Sequence, residues 1–346
     1  MTTSQKTIII SDIHISNGAG YSWFLPPCPD YLATMLNNIA KDHSVEELVL
    51  LGDVFDLWLY PIDVIPWTVS QIIQANPLIT KALKQCVQKI PNVYYMNGNH
   101  DMAVVPGDLL PFSSGNKSMQ WISPDLYAEK YQNRRRLEHG HAADMFNAPD
   151  DSIDAVKGYP LGFFVTRLVA TAANPSAARQ ALKAIVQAKG ASYKAMGPEA
   201  IDALSMGRSL VKAIIDVLEL YAELQDSTPI RFLEPDLDKR YTVGDIKSHY
   251  GSLYGAWRKL HPDPTEFVDT MLVGFDSNGL GWYAKKLLSG KAAPNVVIMG
   301  HTHHAVSQGR YDNDGFWCIS NALGHGGAKA SYVEIIGDKI TLVRFP

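Results

Sequence analysis

Short apolar runs alternate with polar, glycine-containing turns over the first third of the chain. Residues 7–10 (Thr-Ile-Ile-Ile) are β-branched or apolar throughout and predict a buried strand. Residues 47–51 and 93–96 repeat that pattern. Between the first two runs, Leu32, Met35, Leu36 and Ile39 fall at helical spacing and predict a helix over 31–42, with Asp30 as its N-cap. Residues 17–29, rich in Gly, Pro and aromatics, read as loop. Residues 68–89 predict a helix broken near Pro77, and 118–122 and 135–138 predict two further short strands. The texture then changes. From 149 to 289 strand signals are few, and amphipathic stretches at 160–173, 176–189, 198–224, 243–259 and 267–273 predict helices. Strand character returns at 296–299, 316–320, 332–336 and 340–345. Strands alternating with helices predict a layered α/β domain made of residues 1–148 and 290–346, interrupted by a helical insertion, 149–289, that is a cap or lid candidate.

The polar residues that end these strands are of one chemical kind. Asp12-x-His14, Gly52-Asp53-x-x-Asp56, Gly98-Asn99-His100-Asp101, His139-Gly140-His141 and Gly300-His301-x-His303 occur in that order, each after a predicted strand. In layered α/β folds such loops collect at one edge of the sheet. Each motif alone is weak, since Gly-Asp is an ordinary turn and a single His an ordinary polar residue. Jointly they supply carboxylates, one amide and imidazoles, with no thiolate, a set suited to Mn, Fe, Zn, Co or Ni. Asp12, His14, Asp53, Asn99, His139, His301 and His303 are more ligands than one tetrahedral ion can use. They suit two divalent ions sharing a carboxylate, which can bind through both oxygens.

Composition narrows the picture. The chain has 346 residues, 46% hydrophobic and 19% charged, values that exclude a disordered, collagenous or coiled-coil architecture. A net charge of −4 predicts no general nucleic-acid binding. The three cysteines, Cys28, Cys86 and Cys318, are too few and too scattered for a disulfide framework. The longest apolar run, 162–173, is short and carries Arg167, so no membrane span is expected. The N-terminus does not have the form of a signal peptide, and the expected location is the cytoplasm. Nothing in the pattern fixes the oligomeric state.

The ordered motif set resembles the calcineurin-like metallophosphoesterase superfamily over residues 7–141 and from 296 onward. That resemblance implies a four-layer α/β/β/α sandwich with a dinuclear metal site on the strand ends, manganese being favoured. It implies that Asp12, His14 and His303 hold one ion, that Asn99, His139 and His301 hold the other, and that Asp53 bridges. His100 resembles the outer histidine that contacts the phosphate or protonates the leaving group, and Asp56 the carboxylate that orients it. Of His139 and His141, the first, directly after its strand, takes the ligand position. His304 and His325 read as ordinary polar residues, and Asp144 and Asn147 as helix caps or site residues equally.

The implied activity is hydrolysis of a phosphomonoester or phosphodiester by a hydroxide held between two ions, on a phosphorylated small-molecule or lipid-linked substrate. Protein Ser/Thr phosphatases of this superfamily carry Asp-Arg-Gly and Asn-His-Glu where this chain has Asp56-Leu57-Trp58 and Asn99-His100-Asp101, which argues against that subgroup. Residues 52–58 resemble those of UDP-2,3-diacylglucosamine hydrolases, so hydrolysis of a nucleotide-linked pyrophosphate is an alternative. That branch, however, has Arg in place of His100 and His-Gly-Asp in place of His139-Gly140-His141. An apolar groove on Leu161, Phe163, Phe164, Leu168 and Val169 would suit an acyl tail, but plain helix packing is the favoured use of these residues. A catalytically inactive metal-binding interaction protein is the remaining alternative, and the filled ligand positions argue against it.

Overall fold

The computed structural model describes residues 5–149, 158–195, 206–276, 278–290, 292–315, 317, 330–337 and 339–345. Cys318, His325, most of the strand expected at 316–320 and the start of the helix expected at 198–224 lie outside the described residues. The fold is mixed α/β with two sheets and many helices. It divides into two compact units: Met1–Leu57, Trp67–Gly140 and Tyr283–Pro346 form one, and Trp58–Pro66 with His141–Trp282 the other.

In the first unit, β1 (Lys6–Ile10), β2 (Val45–Leu51), β3 (Asn92–Met96) and β4 (Gln120–Trp121) run parallel, β1 pairing with β2, β2 with β3, and β3 with β4. The second sheet holds β5 (Arg135–Leu137), β6 (Val296–Met299), β7 (Val306–Gln308) and β8 (Tyr311–Asn313) in the order β5-β6-β8-β7. Two antiparallel strands, β9 (Ser331–Ile336) and β10 (Lys339–Arg344), extend the first sheet beyond β1. Ile9, Val49, Leu51, Tyr94 and Met96 of the first sheet share one core with Leu137, Val296 and Ile298 of the second. Their alternates Ile8, Ile10, Leu48, Leu50, Val93 and Tyr95 are buried too, as strands covered on both faces require.

One local expectation needs correction, and one hairpin carried no expectation. Helix α1 spans Cys28–Lys41, so Asp30 sits inside its first turn, where a carboxylate favours the helix dipole but does not cap. The hairpin β7–β8 has no apolar signature, because Asp312 and Asn313 are buried polar residues, and hydrophobic periodicity could not reveal it. The expected break at Pro77 divides α2 (Val69–Ala75), which carries a capping box on Thr68, from α3 (Pro77–Lys89), which starts with that proline.

The second unit is helical: α5 (Leu161–Thr171), α6 (Pro175–Ala195), then Met206–Ala222, Val243–His249, Leu253–Leu260 and Pro264–Leu272. Residues 58–66 join it through Arg167, a buried guanidinium in α5. Arg167 donates to the carbonyls of Tyr60, Pro61, Ile62 and Val64 at 3.2, 2.8, 3.3 and 2.6 Å, and to that of Arg231. Carbonyl dipoles replace the hydration this cation gives up. Leu161, Phe163, Phe164, Leu168 and Val169 are each at most 4% exposed, and Phe163 packs on Trp58 and Tyr159. Those side chains are packed as helix core. Among the described residues no helix is long and apolar enough to cross a membrane.

Candidate metal centre

The loops after β1 and β2 run side by side. Asp12 donates its N–H to the Gly52 carbonyl at 3.1 Å, His14 to Asp53 at 2.9 Å and Ile15 to Val54 at 2.8 Å, and Asp56 returns one to Ile15 at 2.8 Å. This pairing sets Asp12 and His14 beside Asp53 and Asp56. The loop after β3 joins through the His100 N–H, which donates to Asp53 Oδ1 at 2.8 Å. The loop after β6 joins through the His301 N–H, 3.0 Å from both Asp12 oxygens, and through Gly300, whose N–H donates to the His139 carbonyl at 3.1 Å.

Glycine makes these approaches possible. A Cβ on Gly52 would stand 2.7 Å from the Gly98 nitrogen and the His139 ring. One on Gly98 would collide with the Asp53 carboxylate, and one on Gly300 with Ser11 and Asp12. Of the nine non-glycine residues at positive φ among the described residues, five are Asp12, His14, Asp53, His301 and His303. Left-handed backbone at a non-glycine residue costs on the order of 1–3 kcal/mol, and such strain clusters at functional sites.

The donor atoms form three groups, each within 4.8 Å: Asp12, His14, Asp53 and His303; Asp53, His139 and His301; and His14, Asp56 and His100. Asp53 belongs to the first two. His139 Nε2 lies 3.2 Å from Asp53 Oδ2, and its Nδ1 lies 3.0 Å from the Leu51 carbonyl, which fixes the tautomer that leaves Nε2 facing the carboxylate. His303 Nε2 lies 3.5 Å from Asp12 Oδ1 and 3.1 Å from His14 Nε2. His14 Nδ1 is 3.3 Å from Asp56 Oδ2, so its Nε2 is left to face His303. Ring nitrogens converging beside two carboxylates fit one or more divalent cations. Asn99 is buried in the same loop as Gly98 and His100. His141 opens the helical unit, and neither it nor His304 belongs to the three groups. Asp144 accepts from the Phe146 N–H at 2.8 Å and from Asn147 Nδ2 at 2.8 Å, a local turn within the helical unit.

The electrostatics follow from burial opposed by neighbours. Burial raises Asp12 to about 7, offset in part by His139. Burial would raise Asp53 as well, but the charges of His139 and His100 outweigh it and hold the carboxyl well below its usual range. His139 is lowered by burial, yet Asp53 and Asp12 lift it to about 10. Burial, with the charge of His100 added to it, lowers His14 against the raising pull of Asp56 and Asp53. His100 is lowered by burial but raised more by Asp56 and Asp53. Asp56 spans the two rings, with Oδ1 3.0 Å from His100 Nδ1 and Oδ2 on His14.

Three supports escaped the sequence. Asp101 accepts N–H bonds from Gly98 at 2.6 Å, Val54 at 2.8 Å, Asp53 at 3.2 Å and Phe55 at 3.4 Å, and also the Tyr95 hydroxyl. Asp314 accepts the Ser11 N–H at 2.5 Å and its hydroxyl at 2.6 Å, behind Asp12. Trp23 packs against three of the imidazoles. The acid that follows Asn99-His100 was the one visible hint of the first.

A model of the calcineurin-like phosphoesterase family matches residues 5–185, and the chain belongs to that family. No curated protein matches it. Membership of that family and the buried His/Asp groups together fit a site for divalent metal. The matched span ends before Gly300-His301-Thr302-His303, so those residues enter the site on geometry.

Proposed function

We propose that the chain is a metal-dependent phosphoric ester hydrolase working with two divalent ions, manganese favoured, on a phosphorylated small molecule. Asp12, His14 and His303 would hold one ion, Asn99, His139 and His301 the other, and Asp53 both. The observation that carries this reading is the membership of Asp53 in two donor groups. Bound there, the ions would supply a water of lowered pKa and polarise the phosphoryl oxygens. The chain's own contribution is positional and protonic. His100 keeps its Nδ1 on Asp56, which favours the imidazolium and directs Nε2 outward to give a proton to the departing oxygen. Asp101 and Asp314 hold the two ligand loops in register.

A narrower reading, cleavage of a nucleotide-linked pyrophosphate as in UDP-2,3-diacylglucosamine hydrolases, is favoured by residues 52–58 alone. The helical unit lies between His139 and His301 in the sequence, and we assign it the role of a cap that selects substrate. The buried Cys86 thiol, outside any disulfide, fits a reducing compartment, and the cytoplasm is the proposed location. The test is a substrate panel with added Mn²⁺, comparing monoesters, diesters, cyclic nucleotides and nucleotide-linked pyrophosphates, beside anomalous scattering from the ions. Two ions on Asp53 and turnover of one class are expected. A single ion, ions remote from Asp53, or no turnover would overturn the reading.

A further inference from the structure

Between β1 and α1 the chain makes a compact loop around Asn17. Asn17 Oδ1 accepts from the Ala19 N–H and the Ser22 hydroxyl, both at 3.0 Å, and its Nδ2 donates to Tyr21 Oη at 2.7 Å. Asn76 Nδ2 secures the loop's start by donating to the Ser16 carbonyl at 2.8 Å. The loop delivers Trp23, only 6% exposed, into the ring cluster of the site. Its indole stands 4.8 Å from His14 at 70°, 5.4 Å from His303 at 87° and 5.5 Å from His100 at 45°. His14 in turn meets His100 at 4.6 Å and His303 at 5.1 Å. The three imidazoles come from three different strand-end loops, after β1, β3 and β6, and the indole touches all of them. His139 and His301, the pair on the other side of Asp53, meet each other at 5.3 Å.

We propose that Trp23 is a positioning residue that fixes the ring of His100, and secondarily those of His14 and His303, by edge contacts and keeps water from their outer side. An indole suits this task. It is large, has only two side-chain torsions, and offers no lone pair to compete for an ion or for the His100 proton. Asp56 holds one end of the His100 ring through Nδ1 at 3.0 Å, and the Trp23 indole, 5.5 Å away, packs against the ring itself.

The inference rests on the hydrolase reading, and two measurements separate their fates. The first uses Mn²⁺ alone. Titration of the whole protein, followed by indole emission and by calorimetry, should show an emission change that Trp23→Phe alters while binding persists, although six other tryptophans remain. The second is kinetic. Trp23→Ala should cut turnover of alkyl esters by about 10–100-fold, the cost of a misplaced donor, with less than about threefold loss on p-nitrophenyl esters, whose leaving group needs little protonation. Trp23→Phe should restore most of the alkyl-ester rate, and Asn17→Ala should reproduce a weaker form of the defect. If the emission change is the same in Trp23→Phe, or if Trp23→Ala slows both ester classes equally, the proposal is wrong. If the wild type hydrolyses no ester yet shows the Trp23-dependent emission change, the hydrolase reading falls and the placement of Trp23 over the ion site stands.

Discussion

Two buried acidic centres lie at opposite ends of β2. At its start, Glu47 accepts hydrogen bonds from the hydroxyls of Tyr127 at 2.7 Å, Tyr131 at 2.8 Å and Thr7 at 3.3 Å, and from Lys130 Nζ at 2.8 Å. Lys130 also reaches Tyr94 Oη at 2.6 Å and lies over its ring. Beyond the strand's other end, Asp53 faces His139 and His14, with Asp12, Asp56, Asp101 and Asp314 buried around it. The first centre is complete. A permanent cation and three hydroxyls compensate one carboxylate, and the result is a tie holding β1, β2 and α4 (Pro124–Lys130) together. The second gathers several carboxylates against imidazoles, whose charge depends on protons. Burying that much negative charge against backbone N–H groups and imidazoles, whose charge is lost as pH rises, makes sense when a divalent cation is the intended partner.

The sharpest way to break this contrast is Asp53→Asn. An amide bridges two ions poorly and cannot oppose their charge. Metal affinity should fall beyond the about 10–100-fold that loss of an outer partner costs, and turnover with it. Calorimetry with Mn²⁺ on the metal-free protein measures this. Retention of both ions at near wild-type affinity would mean that Asp53 is as structural as Glu47.

His100→Ala probes whether chemistry at the Asp53 end can be separated from ion binding. Turnover should drop by about 10²–10⁴-fold for alkyl esters while metal content stays near its wild-type value. The defect should shrink for p-nitrophenyl esters. Loss of metal would place His100 among the ligands, beside His14.

The contrast also explains what could be read from the sequence. The five motifs were legible because each couples a strand end to an unusual polar residue, and Gly52, Gly98 and Gly300 marked where loops must approach closely. The supports were not. In the run Val45-Glu46-Glu47-Leu48, nothing local says which glutamate is buried. That depends on Tyr127, Lys130 and Tyr131, some eighty residues on. Asp314 meets Ser11 across 303 positions, and Trp23 sits in a loop whose composition suggested only irregular chain. Arg167 carried a strong signal, a cation inside an apolar helix, but its partners are backbone carbonyls, which no residue type announces.

A third prediction concerns protons. In the metal-free chain His139 is lifted to about 10 by Asp53 and Asp12 against the pull of burial. A folded value above the ordinary 6.5 means that the protonated ring stabilises the metal-free fold fully below pH 6.5, and that this contribution is lost as pH rises through about 10. An ion on His139 Nε2 must displace that proton. Mn²⁺ affinity should therefore climb with pH between those limits, by up to about tenfold per unit for one proton. Calorimetry at pH 7 in two buffers of different ionisation enthalpy should report about one proton more released from the wild type than from His139→Gln, in which Asp12, raised to about 7, still gives up its share. Equal proton release in both proteins would remove His139 from the ion's ligands.

The smallest effect belongs to the Glu47 end, where the charge is already compensated. Tyr131→Phe removes one hydroxyl donor and keeps the aromatic ring over which Arg135 and Lys130 lie at 4.4 and 5.4 Å. Glu47 would still hold bonds from Tyr127, Lys130 and Thr7, so no buried charge is stranded. The loss should be that of a single hydrogen bond on a half-buried group, about 1 kcal/mol in urea denaturation with an unchanged slope. Turnover and Mn²⁺ affinity should match wild type, because Tyr131 touches neither Asp53 nor any loop that carries the imidazoles. A fall in Mn²⁺ affinity at constant stability would show that the two ends of β2 are coupled, and Glu47 would then have to be counted as part of the ion site's support.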